Sequence, residues 1–271
     1  MPVLSDITLG QYYPVDSFIH SLDPRAKLLS TLICMTIMLV FSHLSILIMM
    51  AIILYAIIRL SHVPVSYVFK NLRPFLWLFL LTIIIHILFS ESTDKVSIPF
   101  VKLSLSKSGI ISGLTYSLRL CLLILFAAIL TLTTSPIEIT DALEKILAPL
   151  NSFGLPVHDI TMMMTLSLRF IPTLIQEADK LRKAQISRGV NFKGNLVNRI
   201  KNVVPLILPL FMSVFRRADE LALAMDARCY TGSEERTRYK KLEFEYTDYI
   251  VISVSLLILI CALVLKYVHL V

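Results

Sequence analysis

The stretch YIVISVSLLILICALVL, Tyr249–Leu265, carries no charge and is closed by Asp248 on one side and Lys266 on the other. Roughly 17–25 apolar residues span the hydrocarbon core of a bilayer as a helix. Inside lipid every peptide N–H and C=O must be bonded within its own segment, so a single run of this kind is read as helical. It is the cleanest span in the chain, and the reading of the rest works outward from it.

Toward the N-terminus four more apolar runs follow the same rule. Ile110–Leu132 is one, interrupted only by Arg119, which has Ser112 and Thr115 as polar neighbours. A charge at that depth faces a bundle interior or snorkels. Pro74–Phe89 is another. Leu28–Ile58 is almost continuously apolar, broken only around Ser42, His43 and Ser45. That length exceeds one untilted span and falls short of two full ones, so it is read as two closely connected helices. The expected fold is therefore all-α, a polytopic membrane protein with about five transmembrane helices.

The composition agrees. Of 271 residues 56% are hydrophobic and 17% charged, with a mean hydropathy of +0.76, far from an ordinary soluble domain. The net charge of +7 is read as cytoplasmic flanking charge and not as a nucleic-acid footprint. The cysteines Cys34, Cys121, Cys229 and Cys261 have no ligand spacing and are read as small hydrophobes. The first 25 residues lack the apolar core of a signal peptide.

Basic residues orient the spans. Arg25 and Lys27 precede the first, while Arg59, Lys70 and Arg73 lie between the second and third. The mixed segment Ser90–Ser108 then falls outside, and Ser135–Asp248, rich in Lys and Arg, inside. The N-terminus is expected in the cytoplasm and the C-terminus outside. The domains are expected at 1–134 (transmembrane helices), 135–247 (cytoplasmic helical region) and 248–271 (last span).

The cytoplasmic region reads as three helices. Pro136–Ala148 is amphipathic, with Ser135 as N-cap and Pro136 at the first helical position. The second runs from Asp159 to Arg188 and stops at Gly189. The third runs from Leu196 to Arg228, through an apolar middle that Pro205 and Pro209 are expected to break. Each long helix is apolar in its first half and charged in its second.

Both long helices end on the same pattern, offset by 40 residues. Ala178-Asp179-Lys180-Leu181 leads to Ala184 and Ser187-Arg188-Gly189, and Ala218-Asp219-Glu220-Leu221 leads to Ala224 and Ala227-Arg228-Cys229. Leu181, Ala184 and Arg188 share a face, as do Leu221, Ala224 and Arg228. One such arginine could simply complement a helix dipole, worth about 0.3–1 kcal/mol. Two in one frame favour a docking surface, and a partner that comes in two equivalent copies. A planar guanidinium suits a groove lined by carbonyls or carboxylates.

Catalytic signals are absent. Gly189 and Gly194 have P-loop spacing, but Asn195 stands where lysine is needed. His20, His43, His62, His86, His158 and His269 are scattered. No catalytic or metal residues are assigned, and an integral-membrane enzyme would need a polar cluster at one depth. Asp23-Pro24-Arg25 is accounted for by helix capping, with Arg25 and Lys27 anchoring the cytoplasmic end. Met162, Met163 and Met164 read as core filler or as an adaptable interface.

The run Gly10-Gln11-Tyr12, Asp16-Ser17-Phe18-Ile19-His20-Ser21-Leu22-Asp23-Pro24-Arg25-Ala26-Lys27-Leu28, taken with Ser187-Arg188-Gly189 and Ala227-Arg228-Cys229, resembles the transmembrane T component of energy-coupling factor (ECF) transporters. The resemblance covers nearly the whole chain, and the paired arginine motifs are specific to that family. Cys229 departs from it, since the second motif usually ends in glycine. The resemblance implies an ABC-class importer of vitamins or transition metals in a prokaryotic cell membrane. This chain would be a non-catalytic subunit binding no cofactor, with ATP and magnesium held by two ATPase subunits, expected to be non-identical, and with one substrate-binding S component engaged at a time. Arg188 and Arg228, with Ser187, Gly189, Ala227 and Cys229, would dock the ATPases, and the two long helices would couple their motion. Met162, Met163, Met164, Leu168, Leu206, Leu210 and Met212 would carry the S component, while His20, Asp23, Pro24 and Arg25 would be structural. The N-terminal match leans toward a module shared by several S components. A dedicated cobalt or nickel type, or a membrane scaffold without ATPases, are the other readings.

Overall fold

A computed structural model of the chain describes residues 12–41, 43–89, 95–97, 104–190, 196–230, 232 and 244–270. The helices in chain order are α1 (Phe18–Ser21), α2 (Pro24–Val40), α3 (Leu44–Leu60), α4 (Val65–Lys70), α5 (Leu76–Phe89), α6 (Lys107–Thr133), α7 (Pro136–Leu147), α8 (Val157–Ser187), α9 (Leu196–Asp226) and α10 (Tyr246–Leu270). Single 3-10 segments, Arg73–Phe75 and Ala148–Phe153, precede α5 and follow α7. The architecture is that of a polytopic all-α membrane protein. The one addition among the described residues is a short antiparallel pair, β1 (Lys95–Ser97) with β2 (Ser104–Ser106), in the segment read as the outer loop.

The chain separates into two compact units, Gln11–Ala142 with Leu242–Val271, and Leu143–Lys241 with Met1–Gly10. In the first, Val65–Phe89, Ser108–Thr133 and Tyr246–Val264 are each long and apolar enough to cross a membrane. The run Leu28–Ile58 resolves into α2 and α3, 17 residues each. At 1.5 Å per residue each is about 25 Å long, at the short end of what spans a bilayer. Phe41 closes α2, its N–H bonding the Ile37 carbonyl at 3.0 Å, and His43 opens α3.

The core of this unit follows helical spacing. Leu122, Leu125, Phe126, Ile129 and Leu132 of α6 pack with Cys34, Ile37 and Met38 of α2 and Ile46, Leu47, Met50 and Leu54 of α3, all under a tenth exposed. Lipid is as apolar as these side chains, so close packing holds the helices together. At Gly113 a Cβ atom would sit 3.2 Å from the Ile83 Cα, so glycine there permits the close approach of α5 and α6. Leu39, Ile52, Trp77 and Leu257 stay largely exposed, as lipid-facing positions do. Arg119 turns inward, donating from Nη2 to the Phe41 carbonyl at 2.7 Å, where α2 leaves carbonyls without helical partners.

At the start of α7 the expected cap is a reciprocal one. Ser135 Oγ accepts the Glu138 N–H at 3.3 Å, and Glu138 Oε2 accepts the Ser135 N–H at 3.0 Å. The third long pattern departs from expectation, because α9 runs without interruption through Pro205 and Pro209, as α8 does through Pro172. Proline deletes single hydrogen bonds, and an exposed helix can leave the freed carbonyls solvated. Gly194 and Asn195 of the rejected P-loop, Gly10 and Gln11, and residues 90–94 and 98–103 of the outer segment lie outside the described residues.

Candidate functional site

Helices α8 and α9 end in one and the same hydrogen-bonded turn. At the end of α8 the Val190 N–H reaches the Gln185 carbonyl at 3.1 Å and the Gly189 N–H the Ile186 carbonyl at 2.9 Å, with Gly189 at φ +87°. At the end of α9 the Tyr230 N–H reaches the Met225 carbonyl at 3.1 Å and the Cys229 N–H the Asp226 carbonyl at 2.9 Å, with Cys229 at φ +53°. Both are Schellman motifs, and each bonding residue has its counterpart 40 positions on. Arg188 and Arg228 therefore hold the same place, the last residue before the left-handed turn. Cysteine keeps the stop that glycine makes in α8.

Ser187, Arg188, Gly189, Ala227, Arg228 and Cys229 are all exposed. The guanidinium groups are offered outward, beyond the small side chains Ala184 and Ala224, which are exposed too. The flanks differ in charge. Glu177–Val190 carries two acids and four bases, a net of +2, whereas Arg217–Tyr230 carries three acids and two bases, a net of −1.

The two helices run antiparallel. Glu177 meets Arg217 at 3.2 Å and accepts the Ser213 hydroxyl, while the Tyr230 hydroxyl donates to the Met162 sulfur at 2.8 Å. Glu177 and Arg217 are themselves counterparts in the 40-residue offset, so the pair is built around a local two-fold relationship that their opposite charges break. The Ser213 hydroxyl, with Arg217 behind it, holds the Glu177 carboxyl below its ordinary pKa. Arg188 lies 26 residues beyond Met162 along α8, so the two arginines stand on the order of 40 Å apart at 1.5 Å per residue.

The residues assigned to an S-component surface divide into two sets. Met163, Met164 and Met212 are exposed, at 66%, 41% and 62%. Met162, Leu168, Leu206 and Leu210 are half-buried, and Leu206 and Leu210 lie on the face of α9 that also carries Ser213 and Arg217 toward α8. The uncovered stripe of α9 is Val204, Leu208, Phe211 and Phe215, with Ile207 and Met212 beside it. Spacing of four, three and four residues is a helical face, and that signal was available in the sequence.

His20, Asp23, Pro24 and Arg25 form a knot in the membrane unit. Asp23 caps α2 by accepting the Arg25 N–H at 2.8 Å, and the Arg25 guanidinium grips the same carboxylate in two places, at 3.1 and 2.8 Å, while lying 4.0 Å over the Phe244 ring. His20 Nε2 donates to the Tyr13 carbonyl at 3.1 Å, a group that can only accept, so Nδ1 accepts from the Ser17 hydroxyl at 2.7 Å. Burial holds the His20 pKa below the ordinary imidazole value. Lys27 is not the surface anchor expected. It is 5% exposed, and its ammonium donates to the carbonyls of His20 at 3.0 Å and Thr133 at 3.3 Å.

Residues 16–239 match the model of a family described as a cobalt transport protein. The chain is 44% identical over 265 residues to the energy-coupling factor transporter transmembrane protein EcfT of Clostridium kluyveri, covering 97% of this chain and 98% of that one. It is 45% identical over 260 residues to the protein of the same name in Brevibacillus brevis, covering 95% and 97%. To that of Bacillus subtilis it is 42% identical over 259 residues, again covering 95% and 97%.

Proposed function

The chain belongs to the family of energy-coupling factor transporter transmembrane proteins, and from that membership we propose that it is the coupling subunit of an ECF-type ABC importer. It is a multi-pass membrane component of a transporter. It joins two cytoplasmic ATPase subunits to one S component at a time and itself binds neither nucleotide nor metal. Hydrolysis of ATP with magnesium belongs to the partners, and uptake of a vitamin or similar micronutrient is the result.

The observation that carries this reading is the pair of register-matched, outward-facing arginines on two equivalent Schellman ends. A two-fold pair of ATPases offers two equivalent grooves, and each receives one guanidinium. Their different flanking charges fit two non-identical ATPases. When the ATPases close, α8 and α9 move as levers and tilt the S component, which rests on Met163, Met164, Met212 and the bare stripe of α9. Residues 135–247 act as the cytoplasmic coupling region between transmembrane segments 1–134 and 248–271. The N-terminus lies in the cytoplasm and the C-terminus outside, by the distribution of Lys and Arg.

A dedicated metal-uptake role is the second reading, favoured by the description of the matching family model. Purification of the tagged chain from native membranes in mild detergent separates the two. Two ATP-binding-cassette proteins with several different small membrane proteins support a shared vitamin module, and a single metal-binding partner supports the dedicated one. A chain that purifies without any ATPase removes both.

A further inference from the structure

The ends of α8 and α9 share a backbone but not a surface. On α8, Lys180, Lys183, Ala184, Ser187 and Arg188 are exposed. Their spacing of three, one, three and one residues places them on one helical face about 12 Å long. The counterparts 40 positions on, Glu220, Leu223, Ala224, Ala227 and Arg228, are exposed in the same register. The alanine and the arginine recur, and the differences concentrate at two places between them. Lys180 stands against Glu220, a reversal of charge, and Lys183 against Leu223, which is 69% exposed. The α8 face thus carries three cations and no acid, and the α9 face one of each.

Lys180, Lys183 and Glu220 form no ion pair among the described residues. Glu177, the acid one turn before Lys180, is engaged by Ser213 and Arg217. Asp179, four residues before Lys183, has the same residue as its counterpart, Asp219, and does not distinguish the ends. One turn further back Gln176 stands against Arg216, about 18 Å from the arginines, and there each helix already contacts the other through Glu177 and Arg217.

One groove cannot complement both faces. A rim of carboxylates that receives Lys180 and Lys183 repels Glu220. An apolar recess that receives Leu223 strips the water from a lysine ammonium and gives it no partner. Each end therefore attracts one groove and opposes the other, the two sides of specificity. We propose that these faces assign the two ATPases to fixed places: the α8 end takes the subunit whose groove is rimmed by carboxylates, and the α9 end the subunit whose groove pairs an apolar recess for Leu223 with a basic group for Glu220. This rests on the docking of Arg188 and Arg228 proposed above, and deepens it. The arginines hold either ATPase, and Lys180, Lys183, Glu220 and Leu223 decide which.

Carbodiimide treatment of the complex purified from native membranes, which joins an amine directly to a carboxylate it touches, reads the proposal by peptide mass spectrometry. The α8 face offers Lys180 and Lys183, and the α9 face has no lysine. In the wild type Lys180 and Lys183 are expected to couple to one ATPase at least tenfold more than to the other. Exchanging the faces, with Lys180→Glu and Lys183→Leu on α8 and Glu220→Lys and Leu223→Lys on α9, should carry that same ATPase to the α9 end. All four positions are exposed, so the exchanged chain should fold. Should it fail to purify as a single species, Lys180→Glu with Glu220→Lys carries the test, and that ATPase should then couple at both ends. Comparable coupling of both ATPases to the wild-type face, no coupling in a complex that holds both, or an ATPase that keeps to its place after the exchange would overturn the proposal. A wild-type chain that purifies without ATPases would instead end the docking reading itself.

Discussion

The Asp248 carboxylate accepts the backbone N–H of Asp23 at 2.9 Å, joining two residues 225 positions apart where α2 and α10 begin. The other carboxylate oxygen takes the Glu245 N–H, also at 2.9 Å, and the residue is 1% exposed. One side chain therefore satisfies two backbone donors that the helix starts would otherwise leave bare.

Asp248→Ala should cost about 2–4 kcal/mol, because each buried donor left unsatisfied costs about 1–3 kcal/mol and some rehydration recovers part of it. Asp248→Asn keeps one acceptor and should lose less than half as much. Thermal unfolding of the purified chain in detergent ranks the three proteins, and an Asn variant as damaged as the Ala variant would contradict the assignment.

Cys229 sits at φ +53°, where a side chain strains the backbone by about 1 kcal/mol. Cys229→Gly should recover most of that and leave the Arg228 position intact, while the β-branched Cys229→Val should fray the end of α9. Hydrogen exchange at Tyr230 reports the 6→1 bond directly. Slower exchange in the glycine variant and faster exchange in the valine variant are expected.

The ion pair between Glu177 and Arg217 is partly exposed, so its coupling should be small, about 0.2–1 kcal/mol in a double-mutant cycle of Glu177→Gln with Arg217→Met. The Glu177 pKa is lowered by the Ser213 hydroxyl first and then by Arg217. A lowered carboxyl pKa gives stability that is present above the unfolded value, about 4.3, and lost as pH falls through the folded one. The coupling should hold at pH 6 and fade below pH 4. A coupling that grows on acidification would refute it.

His20 works in the opposite direction from a paired histidine. Its pKa is lowered by burial, and Lys27 nearby adds to the effect. The unfolded chain then binds the proton more readily, so this contribution is complete above about pH 6.5 and is lost as pH falls below it. Melting temperatures between pH 8 and 5 should decline for the wild type and flatten in His20→Gln. A wild-type profile that rises toward acid would contradict the neutral His20 assigned to the knot.

Much of the fold was legible because lipid imposes one rule on every span. Tyr249–Leu265 and Ile110–Leu132 were recognisable from apolarity alone, and Leu28–Ile58 split at His43 as its length required. Apolar runs say nothing about breaks that tertiary packing tolerates, so α9, read from Leu196 to Arg228, also passes without a break through Pro205 and Pro209, which were expected to interrupt its apolar middle. The arginine ends were legible as a repeat. That Cys229 makes the same turn as Gly189 was not, because the left-handed backbone of a non-glycine residue leaves no mark in composition. Lys27 was misplaced for a related reason. A basic residue before a span reads as an interfacial anchor, and the carbonyls that bury it come from His20 in its own flank and from Thr133 more than a hundred residues away. Leu206 and Leu210 were chosen for apolarity, whereas the stripe through Leu208, Phe211 and Phe215 shows itself only once a helical face is drawn.

The claim that Arg188 and Arg228 fasten two ATPases is tested most directly by reversing both charges. The double variant Arg188→Glu with Arg228→Glu should fold normally, since both side chains are exposed. Reversal in a groove shaped for a cation costs several kcal/mol at each site, on the order of 2–5. Quantified co-purification is expected to show the ATPases reduced at least tenfold against the wild type, with each single variant in between and substrate uptake falling in step. An unchanged ratio of ATPase to this chain in the double variant would contradict the account.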